Sequence, residues 1–300
     1  MARQPHVATW KILLAFGIIY FVWGSTFLAI RIGVHEVPPL LLAAMRFLVS
    51  GVALCGWMLA WGERWPSLRQ WRSATLLAAL IFVGDYGLLF WAEQRVPSGV
   101  AAVMMATIPV FMTLAEIVVL RTQRMTVRLG FALVVGMAGV AVLMSHQLNV
   151  GGAPIETAGA LALIAGSICW SIASVISRRL PLPESKVMSS GIQMLMGGVL
   201  LAMGSAVLGE FRGFHVGAVS GRAWFSLVYL IVLGSIVGFT AYLWLLHYQS
   251  PTKVGTYAYV NPVVAVVVGY FLGGEGLGVR TVVGTVFVLV SVVILTTKRG

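Results

Sequence analysis

From Ile12 to Ile30 the chain runs 19 residues without a charged side chain, about the length an α-helix needs to cross a hydrocarbon layer of roughly 30 Å. Runs of this kind recur along the whole chain, with approximate limits 12–30, 38–61, 73–92, 98–120, 129–145, 157–177, 187–209, 223–246, 254–274 and 281–297. Lipid offers no water to backbone N–H and C=O groups, so such segments must close their hydrogen bonds internally, as helices. The composition agrees: 59% of residues are hydrophobic and 10% charged, where a soluble domain carries about a quarter charged. The fold class expected is therefore an all-α membrane protein of ten transmembrane helices. The first run is too long for the apolar core of a cleaved signal peptide and reads as a retained span.

A net charge of +11 invites a nucleic-acid partner until the basic residues are placed. With the N-terminus inside, 14 Lys and Arg fall in cytoplasmic segments, among them Arg69, Arg72, Arg121, Arg124, Arg128 and Lys253. Five (Arg31, Arg95, Arg212, Arg222 and Arg280) fall outside, and Arg46 lies within a span. That asymmetry is the positive-inside signature, so the basic excess reports topology. The lipid bilayer is the expected partner, nucleic acid is not, and both termini are expected in the cytoplasm. Cys55 and Cys169 fall inside apolar runs and have no metal-ligand spacing, and no phosphate-binding loop or Ser–His–Asp set occurs. We therefore expect no metal, no cofactor and no enzymatic activity.

Two stretches interrupt the apolar pattern in the same way, PSGVAAVMMATIP at 97–109 and PTKVGTYAYVNP at 251–262. Proline is well tolerated in the first turn of a helix, whereas in the interior it removes a hydrogen bond and kinks the helix. Pro97 and Pro251 read as first-turn prolines, and Pro109 and Pro262 as kinks and candidate hinges. The stretches belong to a wider repeat. Trp23 and Arg31 recur 147 residues later as Trp170 and Arg178, with Gln193 where the first half has Arg46. Gly84, Pro97, Val100 and Gly130 recur 154 residues later as Gly238, Pro251, Val254 and Gly284. Five helices per unit force the two units into opposite orientations, and paired, proline-interrupted spans in such inverted repeats point to a binding site. The units are drawn as residues 1–148 and 149–300.

Two five-helix units, the sequence WGSTF at 23–27, the proline-bounded fourth span and LGGEGLG at 272–278 resemble the drug/metabolite transporter (DMT) superfamily. Within it the chain is similar to the EamA family and its YddG-like aromatic amino-acid exporters. The resemblance implies two inverted five-helix repeats around a central cavity and a secondary transporter of the inner membrane. It also implies export of amino acids, aromatic ones among them and with broad specificity, by alternating access. The acidic residue that the family pattern places after the fourth span is matched by Glu275 in the second unit but is absent around Leu120–Arg121–Thr122. Drugs or other metabolites are the alternative cargo, and a membrane-embedded lipid-modifying enzyme is a remote one. The oligomeric state stays open, a monomer being the simplest arrangement.

Ionisable groups inside a membrane are expensive and functional by default. Arg46 and Asp85 lie at similar depths in the second and third spans, so an ion pair or gate between them is allowed. Trp23 and Trp170 share repeat positions near mid-membrane, where each indole N–H needs a partner, and both are candidates to line the cavity with Asp85. On the ninth span Tyr257 and Asn261 share a face at i,i+4, while Tyr259 points elsewhere. Tyr86 and Tyr242 complete the candidate set. Glu116 is expected at the membrane interface, and Gly234 and Gly238 as a small-residue contact between helices.

Overall fold

A computed structural model describes residues 8–95, 101, 104–143, 156–264 and 279–297. Within them the chain is helical, and helices occur at all ten expected places. Six are long and apolar enough to cross a bilayer: α1 (Thr9–Val34), α2 (Pro39–Ala60), α3 (Leu68–Glu93), α6 (Thr157–Ile176), α7 (Lys186–Val207) and α8 (Gly221–Tyr248). The others are α4, helical at 104–105 and again over Ile108–Leu120, α5 (Val127–Leu143), α9, which starts as Pro251–Val254 and resumes over 257–264, and α10 (Val279–Thr296). Pro97, Val100, Val103 and the LGGEGLG motif with Glu275 lie outside the described residues.

Apolarity alone sets the start of α3 too late. The helix begins within a polar stretch because Ser67 and Gln70 form a capping box, the Gln70 side chain accepting from the Ser67 N–H at 2.7 Å. The pair satisfies backbone donors that a helix start leaves bare.

The two halves interlock. The most extensive helix contacts are α2 with α7 and α5 with α10, each joining a helix to its own repeat equivalent. Contacts of α1 with α8 are mirrored by those of α6 with α3. Such exchange is what a two-fold axis in the membrane plane produces. Leu13, Phe21, Val52, Val134 and Val286 point outward from mid-helix positions. In water they would form a large apolar patch; in a bilayer they match the solvent.

Four irregularities concentrate near the middle of the molecule. In α3 and α8 the backbone widens to π-helical turns over Ala79–Gly87 and Leu230–Val237, a feature common at functional sites. In α4 the helix is interrupted at residues 106–107, where the Thr107 hydroxyl donates to the Met104 carbonyl at 2.6 Å. Pro109 then falls in the first turn of the next segment, Ile108–Ala115. In α9 the interruption is at residues 255–256, and the Thr256 hydroxyl likewise donates back three residues, to Lys253, at 2.7 Å. The interruption in α9 is thus not at Pro262, which lies inside the helical stretch 257–264. A hydroxyl that takes over a local carbonyl ends the helical register before the chain reaches that proline.

Candidate functional site

Trp23 of α1, Trp170 of α6, Tyr242 of α8 and Tyr257 of α9 meet in the centre of the bundle. All six pairs among these rings have centroids 4.8–6.4 Å apart, every one tilted or edge-on. Such arrangements follow the ring quadrupole and contribute about 0.5–1.5 kcal/mol per pair beyond burial. Each ring is at most 6% exposed, so the four close on one another. Tyr86 joins from α3, edge-on to Trp170 at 5.8 Å. Four of the sequence candidates therefore form one cluster, one helix from the first half meeting three from the second, and Tyr86 adds a second helix from the first half.

The wide turn of α8 explains how the cluster is held. The Trp23 indole N–H donates to the Gly234 carbonyl at 3.0 Å, inside the stretch where the helical ladder is widened. One turn on, a Cβ at Gly238 would lie 2.6 Å from the Trp23 indole nitrogen. Gly238 thus leaves a slot for the indole, while Gly234 lets Arg46 of α2 and Thr26 of α1 approach closely, so both glycines sit where α8 meets other helices. The Tyr242 hydroxyl is paired with that of Ser174. Among the described residues the Trp170 indole N–H makes no well-formed hydrogen bond.

Arg46 and Asp85 are buried, at 1% and 2% exposure, but the expected ion pair between them is not formed. Arg46 is drawn toward α8, where its Nε donates to the Ser235 hydroxyl at 2.7 Å. Its guanidinium lies over the Phe47 and Tyr86 rings, at 4.7 and 5.2 Å. Asp85 turns toward α6 instead, its Oδ1 packed against Gly166. Among the described residues these two buried ionisable groups each keep one atom without a hydrogen-bond partner, Arg46 Nη1 and Asp85 Oδ1. An unpaired charge in that state costs several kcal/mol, which keeps both residues as candidates.

Asn261 does another job. With its amide nitrogen facing two carbonyls, it donates to Tyr257 at 3.0 Å and to Tyr20 at 3.2 Å, tying α9 to α1. Tyr20 also pairs with the Thr256 hydroxyl at 2.7 Å, beside the α9 interruption. Tyr259, set aside by helical phase, does point away and donates to the Leu133 carbonyl of α5 at 3.1 Å. Among the described residues no group of three His, Cys, Asp or Glu could hold a metal ion.

Glu116 lies near the end of α4, as its place in the span implies, but it is buried against other helices, at 2% exposure. It accepts from the Thr252 N–H and hydroxyl at 3.2 and 2.8 Å and from the Thr122 hydroxyl at 3.1 Å. A carboxylate on the first N–H groups of a helix is favourable, and here it joins the end of α4 to the start of α9. Two further carboxylates fasten the halves at the opposite end of the bundle. Glu210 accepts from the Leu40 and Leu41 N–H groups that open α2. Glu36, between α1 and α2, accepts from the Ser220 N–H and hydroxyl at 2.6 and 2.7 Å, which hold its carboxyl below the usual range. The signal for all three was an acidic residue near a span end, with the start of a helix in the other half as its partner.

The sequence model of the EamA-like transporter family matches residues 9–145 and 157–297. The chain is 38% identical over 261 residues to the uncharacterized inner membrane transporter YedA of Escherichia coli (strain K12), covering 86% of this chain and 82% of that one. It is 25% identical to the probable amino-acid metabolite efflux pump of Salmonella typhimurium, over 92% of each chain. One solved crystal structure superposes with a TM-score of 0.75 at 22% identity, covering 95% of this chain and 97% of the other.

Proposed function

The chain belongs to the EamA-like transporter family, and on that premise we propose that it exports amino acids, aromatic ones included, across the inner membrane by alternating access. It is a membrane transporter of the drug/metabolite superfamily; the cargo and the mechanism are our reading. The observation that carries the reading is the aromatic cluster with an unpartnered carboxylate oxygen and an unpartnered guanidinium nitrogen beside it. An amino acid presents an ammonium, a carboxylate and a side chain. Asp85 suits the first, Arg46 the second by hydrogen bonding to a planar anion, and the rings the third. The relative named for amino-acid metabolite efflux supports the same cargo class.

With the rings closed on one another, substrate enters by parting them. An aromatic side chain then replaces ring–ring contacts with equivalent ones, which favours breadth over selection of a single residue. The interruptions in α4 and α9 and the wide turns in α3 and α8 are where the helices can bend while their remaining turns stay packed. In this mechanism Pro109 is a hinge residue directly beside its break. Pro262 acts only by removing the hydrogen bond to Ala258.

Counterflow in proteoliposomes loaded with a mixed amino-acid pool, at several pH values, tests the reading. Exchange of at least one aromatic amino acid is expected. No exchange of any amino acid would overturn the cargo assignment.

A second reading has its own support. A carboxylate beside four aromatic rings also suits a lipophilic cation, which rings attract by cation–π contact. Phenethylamine, which keeps the ring and the ammonium but lacks the carboxylate, separates the two. Transport of this amine in preference to phenylalanine would favour the drug or metabolite reading.

A further inference from the structure

A cavity opens at one end of the bundle, outside the aromatic cluster. It is a cleft of about 580 Å³ between the connection from α4 to α5, the first turns of α5 and α9 and the last turn of α10. Among the described residues its walls carry four cations, Arg121, Arg124, Arg128 and Lys253, and no carboxylate. Hydroxyls of Thr122, Thr126, Ser250 and Thr252 line it as well.

Two of the cations are held in place. Lys253 Nζ donates to the Thr296 carbonyl at 2.8 Å, and Arg128 Nη2 to the Ile294 carbonyl at 3.2 Å. Arg128 thereby engages one of five N–H donors and keeps its fork for another acceptor. Arg124 is exposed to solvent. The nearest carboxylate behind the wall, Glu116, is occupied by donors from Thr122 and Thr252. Met125, Val127 and Val293, each next in sequence to a lining residue, are apolar and exposed, which gives the cleft an apolar border. A basic cleft with an apolar rim, on the face that the Lys and Arg distribution assigns to the cytoplasm, lies where acyl chains give way to headgroups.

We propose that this cleft binds a phosphate group at the cytoplasmic membrane surface, and that the apolar rim selects an anionic phospholipid as its carrier. Four positive charges, with the hydroxyls of Thr126 and Ser250 not engaged by Glu116, match a phosphate better than they match a carboxylate or a zwitterionic headgroup. Guanidinium forks pair with phosphate oxygens bidentately. Basic pockets between transmembrane helices on this side of a membrane favour anionic headgroups. The inference does not depend on what the central site carries.

Native mass spectrometry and thermal melting of the purified full chain test it, with phosphatidylglycerol, phosphatidylcholine and glycerol phosphate as probes. Phosphatidylglycerol is expected to bind and to raise the melting temperature more than phosphatidylcholine does. Removing one cation by Arg124→Gln should weaken this binding about fivefold, the usual effect of one basic residue at an anionic surface. Arg124→Gln with Arg128→Gln should weaken it further, whereas Arg69→Gln with Arg72→Gln, on another cytoplasmic segment, should not. Equal binding of glycerol phosphate, lost in the same variants, would keep the phosphate site and overturn the lipid as its carrier. Binding of phosphatidylglycerol unaltered by Arg124→Gln, which needs no folding correction at an exposed side chain, would overturn the site itself.

Discussion

Gly255 of α9 rests against Pro109 of α4, so that a Cβ at position 255 would lie 3.5 Å from the Pro109 Cα and 2.8 Å from the Met112 sulfur. The interruptions of the two proline-bounded helices therefore meet, one from each half of the molecule. Met112 is flexible enough to yield, so Gly255→Ala should fold with a loss of about 1–3 kcal/mol from overpacking. Wedged at the crossing, it should slow transport about tenfold while equilibrium substrate affinity holds. Counterflow rates beside melting curves check this; an unaltered rate would contradict a hinge at this contact.

Trp23 depends on two backbone features of α8, the Gly234 carbonyl and the missing side chain at Gly238. Gly238→Ala should displace the indole and mimic Trp23→Ala, each weakening substrate affinity about tenfold or more. Trp23→Phe keeps a ring but loses the hydrogen bond, a change of about 1 kcal/mol, and should fall between. Equilibrium binding of a labelled aromatic amino acid gives the order. The same affinity in all three variants would remove Trp23 from the site.

Much of this was legible in the sequence. The spans could be found because charges are excluded from lipid, and Trp23 and Trp170 because the repeat superposes them. Helical phase set Tyr257 apart from Tyr259, which the structure turns toward α5. The wide turns at 79–87 and 230–237 were not legible, since a shift of hydrogen-bond register is settled by packing and no residue type marks it. That gap also hid the partner of Arg46. Depth along a span allowed Asp85, but depth is blind to direction, and Ser235 on α8 captured the guanidinium. The burial of Glu116 was hidden for a related reason: it depends on Thr252, 136 positions away.

Glu116 joins α4 to α9 through three donors. Glu116→Gln keeps only one acceptor and should lose about 1–2 kcal/mol, while Glu116→Leu strands the Thr252 N–H and hydroxyl and should lose about 3 kcal/mol. Melting temperatures should fall in that order. Equal melting of Glu116→Leu and the parent chain would show that the link contributes nothing.

The clasp between Glu36 and Ser220 should be pH-sensitive at its own end of the bundle. Its N–H and hydroxyl donors depress the folded-state pKa of the Glu36 carboxyl, so its contribution is complete above the unfolded value, about 4.3. It is lost as pH falls through the lower folded value, when the protonated carboxyl releases the start of α8. The difference in melting temperature between the parent chain and Glu36→Gln should therefore shrink below about pH 4. A difference that stays constant from pH 6 to pH 3 would contradict the clasp.

The central claim is that the rings together with Asp85 and Arg46 hold an amino acid by its side chain and both charged ends. It is tested most directly by proteoliposome exchange of labelled phenylalanine, with N-acetylphenylalanine and phenethylamine as competitors. Asp85→Asn should weaken competition by phenethylamine at least tenfold and leave the acetylated acid unaffected, while Arg46→Gln should do the reverse. Competition by both analogues that is indifferent to both substitutions would place the substrate elsewhere.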